Sequence, residues 1–484
     1  MKIVIIKGLK VLTNEGKKYL NKYSITVLGE LVLLLIMSVI SLISDNFTQI
    51  PLLIFSTIGL TLLVYLFKYI FNFMFSTEET KKIVIFSLIT SIIGLVMYCI
   101  IIYTRNYKYL ADYTCYYDLQ YEYYKLFDIS VIKGFAGTLL SFWKSDYSYF
   151  ICIFTSLPFY FTTGSHNAFV IVYYLFLLVP MIFSFNMFIT SIEKKIQIMK
   201  QSLLVIYYVI CNILMLTFPL LQYDSLLGMP DIFGLTFLLL LAMIFFNYDI
   251  KKINWKYNIL LLICSIAVII TRRWYVFSVV GLYVGYAIVS ILYNLKSLKI
   301  VLVNGIKSFG FISITACIFM LPFIFNTIKS NYSVAYNAWK YGGVLWEVLH
   351  QCKFLGFMTV FVLMMGFIVG CMKKELRFHT LISIIAYFVT IFGFTRVQNM
   401  MSHHALCLMI TYLILIINIF AFVSSIKSKV VRYLLVTLVA IILLFNSYLS
   451  FSGKIIKCDD FYLSSNINII VNNGDSNKNV WESK

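Results

Sequence analysis

Four short stretches of this chain gather the residue types that could transfer a group from a phosphate to a hydroxyl. The first is Asp112-Tyr113-Thr114-Cys115-Tyr116-Tyr117-Asp118, followed by Glu122, Asp128 and the pair Asp146-Tyr147. A carboxylate held among aromatics beside a bilayer loses water, which raises its pKa and makes it a competent base near neutral pH. A solvated acidic loop would have the same composition, so its weight depends on what lies near it. The second stretch runs from Gln222 through Asp224 and Gly228 to Pro230-Asp231-Ile232-Phe233-Gly234. Proline and an acid also suit any helix start, because the acid complements the unpaired N–H groups there. Asp231 gains functional weight only by lying at the same membrane face as Asp112, with Asp224 as a neighbouring substrate-binding candidate.

The third stretch is Arg272-Arg273-Trp274-Tyr275. Two guanidinium groups at headgroup level suit a lipid-linked phosphate, since each offers planar paired donors. Ordinary phospholipid contact beside an interfacial Trp is the plainer alternative. The fourth contains Arg396, Gln398, His403 and His404. Adjacent histidines lack the i, i+4 spacing of a helical zinc pair, so they read as hydrogen-bonding groups and no metal site is assigned.

These residues are set in a chain of 484 residues that is 61% hydrophobic and 12% charged, with mean hydropathy +0.91. A soluble enzyme is about half apolar and a quarter charged. The composition therefore excludes a soluble globular enzyme, a disordered chain and a secreted disulfide scaffold, and leaves a polytopic α-helical membrane protein. The net charge of +19 points to topology and anionic lipid, and nucleic acid is not an expected partner. The ten cysteines have no metal or redox spacing and read as small apolar residues. No cleavable signal is expected, because the first apolar run is as long as a span and lacks a small-residue cleavage site.

Windows of about twenty apolar residues predict about thirteen transmembrane helices, near 24–43, 50–71, 83–103, 167–190, 202–220, 231–247, 257–271, 274–294, 308–327, 354–372, 379–395, 404–424 and 432–450. With the N-terminus in the cytoplasm, the triplets Lys194-Lys195-Lys200, Lys251-Lys252-Lys256, Lys373-Lys374-Arg377 and Lys427-Lys429-Arg432 all face inward, as the positive-inside rule requires. The apolar stretch from Tyr147 to Gly164 would invert this register if it crossed, so it reads as an amphipathic or re-entrant element at the outer face. The expected organisation is a basic cytoplasmic segment 1–22, an N-terminal hairpin 23–82, a core 83–450 and an outer tail 451–484. The core carries outer loops 103–167, with juxtamembrane helices, and 326–353, rich in Tyr and Trp. Glu30 reads as a packing or hydrogen-bonding group. No internal repeat or separate soluble domain is visible.

In order and spacing, these segments resemble the GT-C glycosyltransferase superfamily, the multi-spanning enzymes related to protein O-mannosyltransferases and lipid A aminoarabinose transferases. The resemblance rests on Asp112 to Asp118, Asp146-Tyr147 to Gly164, Gly228 to Asp231, Arg272 to Tyr275, and the outer Arg396, Gln398, His403 and His404. It implies that Asp112 is the base, with Asp118 as the other candidate, and that Asp231 orients acceptor or base. Arg272, Arg273, Tyr275 and Arg396 would hold a polyprenyl-phosphate sugar, while Asp146, Tyr147, Asp224, Gln398, His403 and His404 would line the substrate site. The sequence departs from the common Asp-Glu pair, since Tyr113 follows Asp112, and it starts with an extra hairpin.

The expected reaction is an inverting displacement at the extracytoplasmic face, in which a carboxylate deprotonates the acceptor hydroxyl and arginines meet the leaving lipid phosphate. A divalent metal is compatible with this chemistry and not required by it. The acceptor would be a cell-envelope glycan, lipid or protein, and an upstream enzyme would make the lipid-linked sugar. Two competing readings are a flippase for lipid-linked saccharides and an envelope-polysaccharide polymerase or ligase. The Ile, Lys, Asn, Tyr and Phe bias points to a bacterial plasma membrane.

Overall fold

The computed structural model describes residues 50–104, 108–110, 112–144, 148–160, 166–196, 201–218, 221, 224–225, 228–329, 334, 336–400, 403–451 and 480–482. The expected first span, Glu30 and the basic N-terminal segment lie outside them. A three-residue antiparallel pair joins Lys108–Leu110 to Val480–Glu482; almost everything else described is helix. That is what an apolar solvent imposes, because a helix satisfies its backbone groups within one segment.

Among the described residues the helices are α1 (Ile50–Met74), α2 (Thr77–Thr104), α3 (Asp112–Ile129), α4 (Val131–Lys144), α5 (Phe150–Tyr160) and α6 (His166–Tyr173), which continues through a π turn (Tyr174–Leu178) into α7 (Val179–Ile196). There follow α8 (Gln201–Thr217), α9 (Asp231–Asn247), α10 (Trp255–Thr271), α11 (Val276–Tyr293), α12 (Leu298–Phe319), α13 (Leu321–Lys329), α14 (Val344–Leu355), α15 (Phe357–Met372), α16 (Lys374–Val397), α17 (Met409–Ser424) and α18 (Lys429–Phe451). Seven described segments are long and apolar enough to cross a membrane. The pair α14 and α15, bent by 114° at Gly356, makes an eighth if it is one broken span. The protein is therefore an all-α polytopic membrane protein.

The span placed at 308–327 begins at Leu298 and stops at Phe319, because Lys299 and Lys307 are good helix formers that an apolar window rejects. Among the described residues of the stretch Tyr147 to Gly164, helix covers the 11 residues of α5, roughly 16 Å long where a span needs about 30 Å. Pro158 disturbs its last turn, and Ser56 Oγ from α1 accepts the Leu157 N–H at 3.0 Å.

The centre of the bundle is α9. Every residue from Asp231 to Phe246 is buried, as expected for a helix that is apolar all round. It packs between α7 and α10. Polar side chains stitch its neighbours: Asn186 and Asn212 exchange amide hydrogen bonds of 3.0 and 2.9 Å between α7 and α8, and Asn418 donates to Thr380 Oγ1 at 2.9 Å between α17 and α16. Lysines gather at one end of the bundle, where Lys195 donates to the carbonyl of Phe246 at the end of α9 and Lys194 pairs with Glu79 at 3.1 Å. The opposite end holds Asp231, Arg272 and His404.

Helices α11 and α16 approach most closely at Gly281 and Gly285, where a Cβ would lie 2.7 Å from the Ala386 carbonyl oxygen and 2.6 Å from that of Ile382. Small residues at such a crossing bring backbones together. Gly285→Ala should therefore lower stability by about 1–3 kcal/mol, read as a lower unfolding midpoint in detergent. Gly310→Ala, with nothing within 4 Å of the added Cβ, should leave the midpoint unchanged or slightly higher.

Candidate functional site at one end of the central helix

The site is assembled by how α9 starts. Gly228 has φ of +70°, a conformation glycine adopts without strain, and a Cβ there would meet the Phe169 ring at 2.9 Å. The turn it makes is closed by Met229 N–H donating to the Asp224 carbonyl at 2.9 Å, and Pro230 then leads directly into the first turn of α9. Asp224 and Asp231 are thereby placed together at the buried N-terminal end of the central helix. Both are fully buried, and among the described residues neither carboxylate oxygen of Asp224 has a hydrogen-bond partner. Burial raises the Asp224 pKa well above the usual carboxylate range; the Asp231 charge adds to the rise and the Arg272 charge opposes it.

The opposing charge arrives from the end of α10. Arg272 is extended, with φ −148° and ψ 106°, which breaks the helix before the 3₁₀ turn Arg273–Tyr275. Its Nε donates to Asp231 Oδ1 at 3.1 Å, one terminal nitrogen donates to the Tyr116 hydroxyl of α3, and the other lies 3.5 Å from His404 Nε2. Guanidinium has only donors, so His404 Nε2 must be the acceptor and its ring carries the proton on Nδ1. Arg272 is 6% exposed and Asp231 0%. The Tyr275 hydroxyl donates to the Asp231 carbonyl at 3.2 Å, and its ring lies where a Cβ on Gly234 would be 3.0 Å away. One arginine thus joins α3, α9, the end of α10 and the 3₁₀ turn His403–Leu408.

A third buried carboxylate holds the approach to His404. Glu347, in the first turn of α14, accepts from Asn399 Nδ2 at 2.7 Å, Gln351 Nε2 at 2.8 Å and Met400 N–H at 3.0 Å. Burial works to raise its pKa, but the nearby His350 ring and hydrogen bonds from Gln351, Asn399 and Met400 hold it below the usual value. Asn399 Oδ1 accepts in turn from the N–H groups of Tyr341 and Gly342 at 2.6 and 3.0 Å. The extended stretch Gln398 to Met400 is fixed by these bonds. Trp274 closes the other side, stacked on Phe394 at 5.7 Å and edge-on to Tyr336 at 5.2 Å.

Of the candidates named from sequence, Asp231, Arg272, Tyr275 and His404 meet directly, with Asp224 beside them. His403 packs on His404 with ring centroids 4.0 Å apart, and Gln398 is buried in the stretch pinned by Glu347. Arg273 turns onto the Phe323 ring at 4.8 Å, so the adjacent arginines diverge where the helix breaks. Arg396 is exposed above its own helix's Phe392 ring at 4.4 Å. Asp118 lies two residues beyond Tyr116, on another face of α3; burial raises its pKa, and the Glu122 charge adds to this. Asp112 opens α3 one turn before Tyr116. The Asp112 side chain lies outside the described residues, as do Asp146 and Tyr147.

Sequence reasoning did not single out Tyr116, Glu347 or Asn399. The available signal for Glu347 was an acid inside the apolar run Val344 to Leu355, with His350 and Gln351 one turn later. Comparison with protein-family models, curated proteins and solved structures gives no match to this chain.

Chemically, the arrangement is a charged group held dry and rigid at one end of an apolar bundle. Removing one partner of such a pair costs about 3–5 kcal/mol, because the other is left buried and uncompensated. Asp224 makes a different prediction. With its folded pKa raised, its contribution to stability is greatest below 3.8 and declines as pH rises toward the folded value. Asp224→Asn removes that titration, so its unfolding midpoint should rise relative to wild type as pH increases from about 3.8 toward neutrality. A difference independent of pH would show that Asp224 does not hold a proton in the folded protein.

Proposed function

We propose that this protein is a membrane glycosyltransferase that moves a sugar from a polyprenyl-phosphate donor to an acceptor hydroxyl on the extracytoplasmic face. The observation that carries this reading is the buried Arg272–Asp231 pair, with Tyr116 and His404, at the bundle end opposite the lysines. Intramembrane charge is costly and is kept where it serves a site. The full reading has about thirteen spans, the N-terminus in the cytoplasm of a bacterial cell, and the Arg272 end facing out.

In the proposed reaction the acceptor oxygen attacks the anomeric carbon, and the bond from that carbon to the phosphate oxygen breaks. Its electron pair leaves with the lipid phosphate, the acceptor proton passes to Asp112 or Asp118, and the configuration inverts. Positive charge aimed at the leaving oxygen favours this step. Arg273, only partly buried, offers that charge at the rim, and Arg272 behind it contributes a fixed positive centre. Asp231 keeps Arg272 oriented, and Arg272 in turn fixes the Tyr116 face of α3, the helix that Asp112 opens.

The flippase reading calls for charged groups near the bilayer midplane, commonly in repeated halves. Among the described residues, the buried Asp, Glu and Arg side chains are Asp224, Asp231, Arg272, Glu347 and Arg432. Asp231, Glu347 and Arg432 stand in first helical turns, Arg272 just past the end of α10 and Asp224 in the connection between α8 and α9, which favours chemistry at a face over passage through the middle.

The test is release of polyprenyl phosphate from a radiolabelled polyprenyl-phosphate hexose by protein purified into lipid. Wild type should turn over, while Arg272→Ala and Asp112→Asn, checked for intact folding, should fall by about a hundredfold or more. Failure to cleave any donor, together with movement of the intact lipid between leaflets, would overturn the enzyme reading. A ladder of repeat units instead of single additions would make the protein a polymerase.

A further inference from the structure

We propose a second anion site, at the end of the bundle opposite Arg272, that binds the phosphate group of an acidic membrane lipid through Arg432 and the N-terminal turn of α18. It is independent of the glycosyltransferase reading.

Two separate observations meet there. Helix α18 has 23 residues and no acid in its first turn, so the partial positive charge of its N-terminal end is not offset within the helix. Ser428 meets only part of that turn, accepting from Val431 N–H with its side chain at 3.4 Å and from Arg432 N–H with its carbonyl at 3.1 Å. The second observation is Arg432 itself. It is 6% exposed, and its Nε is buried without a hydrogen-bond partner.

Its position explains the burial. Arg432, Val436, Ala440 and Leu443 are the buried residues that α18 turns toward the bundle, a spacing of one helical face. Helical side chains lean back toward the N-terminus, so this guanidinium is directed at the open end of its own helix. A guanidinium whose Nε is out of water is stabilised by a counter-charge beside it. Arg272 has one in Asp231; among the described residues no acid pairs with Arg432, and its Nε has no hydrogen-bond partner there.

The surroundings favour an anion from outside the chain. Lys427 and Lys429 flank the turn and are exposed, and Lys373 reaches in from the neighbouring connection, its Nζ donating to Ser425 Oγ at 2.6 Å. A phosphate diester fits this set, since it takes paired donors from a guanidinium and backbone N–H groups from a helix start. The lysines mark the side where the membrane surface is anionic, which makes a lipid headgroup the favoured source of that phosphate over a soluble one.

The experiment uses the full chain in neutral detergent. Phosphatidylglycerol should raise the wild-type unfolding midpoint by a few degrees and phosphatidylcholine should not, and native mass spectra should retain the acidic lipid in preference to the neutral one. Arg432→Gln should lose that rise and retain about tenfold less acidic lipid. Without lipid it should unfold no earlier than wild type, because the substitution removes an unpaired buried charge. An Arg432-dependent rise with inorganic phosphate but not with the lipid would overturn the lipid assignment and give the site to a soluble phosphate. A rise with both supports recognition of the phosphate group itself. Equal responses to the two lipids, or a full rise in Arg432→Gln, overturn the site. If Arg432→Gln does not fold, the wild-type spectra decide, and equal retention of both lipids overturns the proposal.

Discussion

The pairing of Arg272 with Asp231 is the constraint around which one end of this molecule is arranged. Asp231 is the first residue of a helix buried on every side, so its charge has no route to water. Something fixed and positive must meet it there. Arg272 does so only because α10 ends one residue earlier and the backbone turns to an extended conformation. Gly228 and Gly234 are both explained by the same need. One permits the left-handed turn into α9, and the other makes room for the Tyr275 ring that locks the Asp231 carbonyl.

From that pair the order spreads outward through donors that must all be used. Arg272 has nitrogens left after meeting Asp231, and Tyr116 and His404 take them. His404 then requires its own segment to be held, and the chain leading to it is extended and therefore lacks helical hydrogen bonds. Glu347 and Asn399 supply the missing partners from α14. The 114° bend between α14 and α15 follows, because α14 must lie across the bundle end to bring Glu347 there. Gly356, with φ of +77°, makes that bend.

The helices were legible in the sequence because the bilayer permits little else. Apolar runs located α9, α11, α16 and α17 within a few residues, since burial and apolarity coincide there. They misplaced α12, where lysines prolong a helix beyond its apolar part. The site was legible as a set of unusual residues and illegible as a set of pairs. Arg272 and Arg273 are identical in type and adjacent, yet a single backbone break sends one to Asp231 and the other to Phe323. Glu347 is one charge among apolar neighbours and Arg432, legible only as part of a basic triplet, is one of several basic residues; only burial separates them from exposed charges.

The two buried arginines differ in how they would meet an incoming anion. Arg272 is already neutralised by Asp231, so a phosphate approaching it must share the guanidinium or displace Tyr116 or His404. Sharing leaves the ion pair intact and moves only groups that carry no charge. Displacing the Tyr116 hydroxyl would release α3 at a point one turn from Asp112, so phosphate occupancy and the placement of that acid would be linked through a single hydrogen bond. Arg432 has no such competitor among the described residues, and an anion binding there would displace none of them from its Nε. The paired arginine is therefore suited to a ligand that must come and go, and the unpaired one to a ligand that stays.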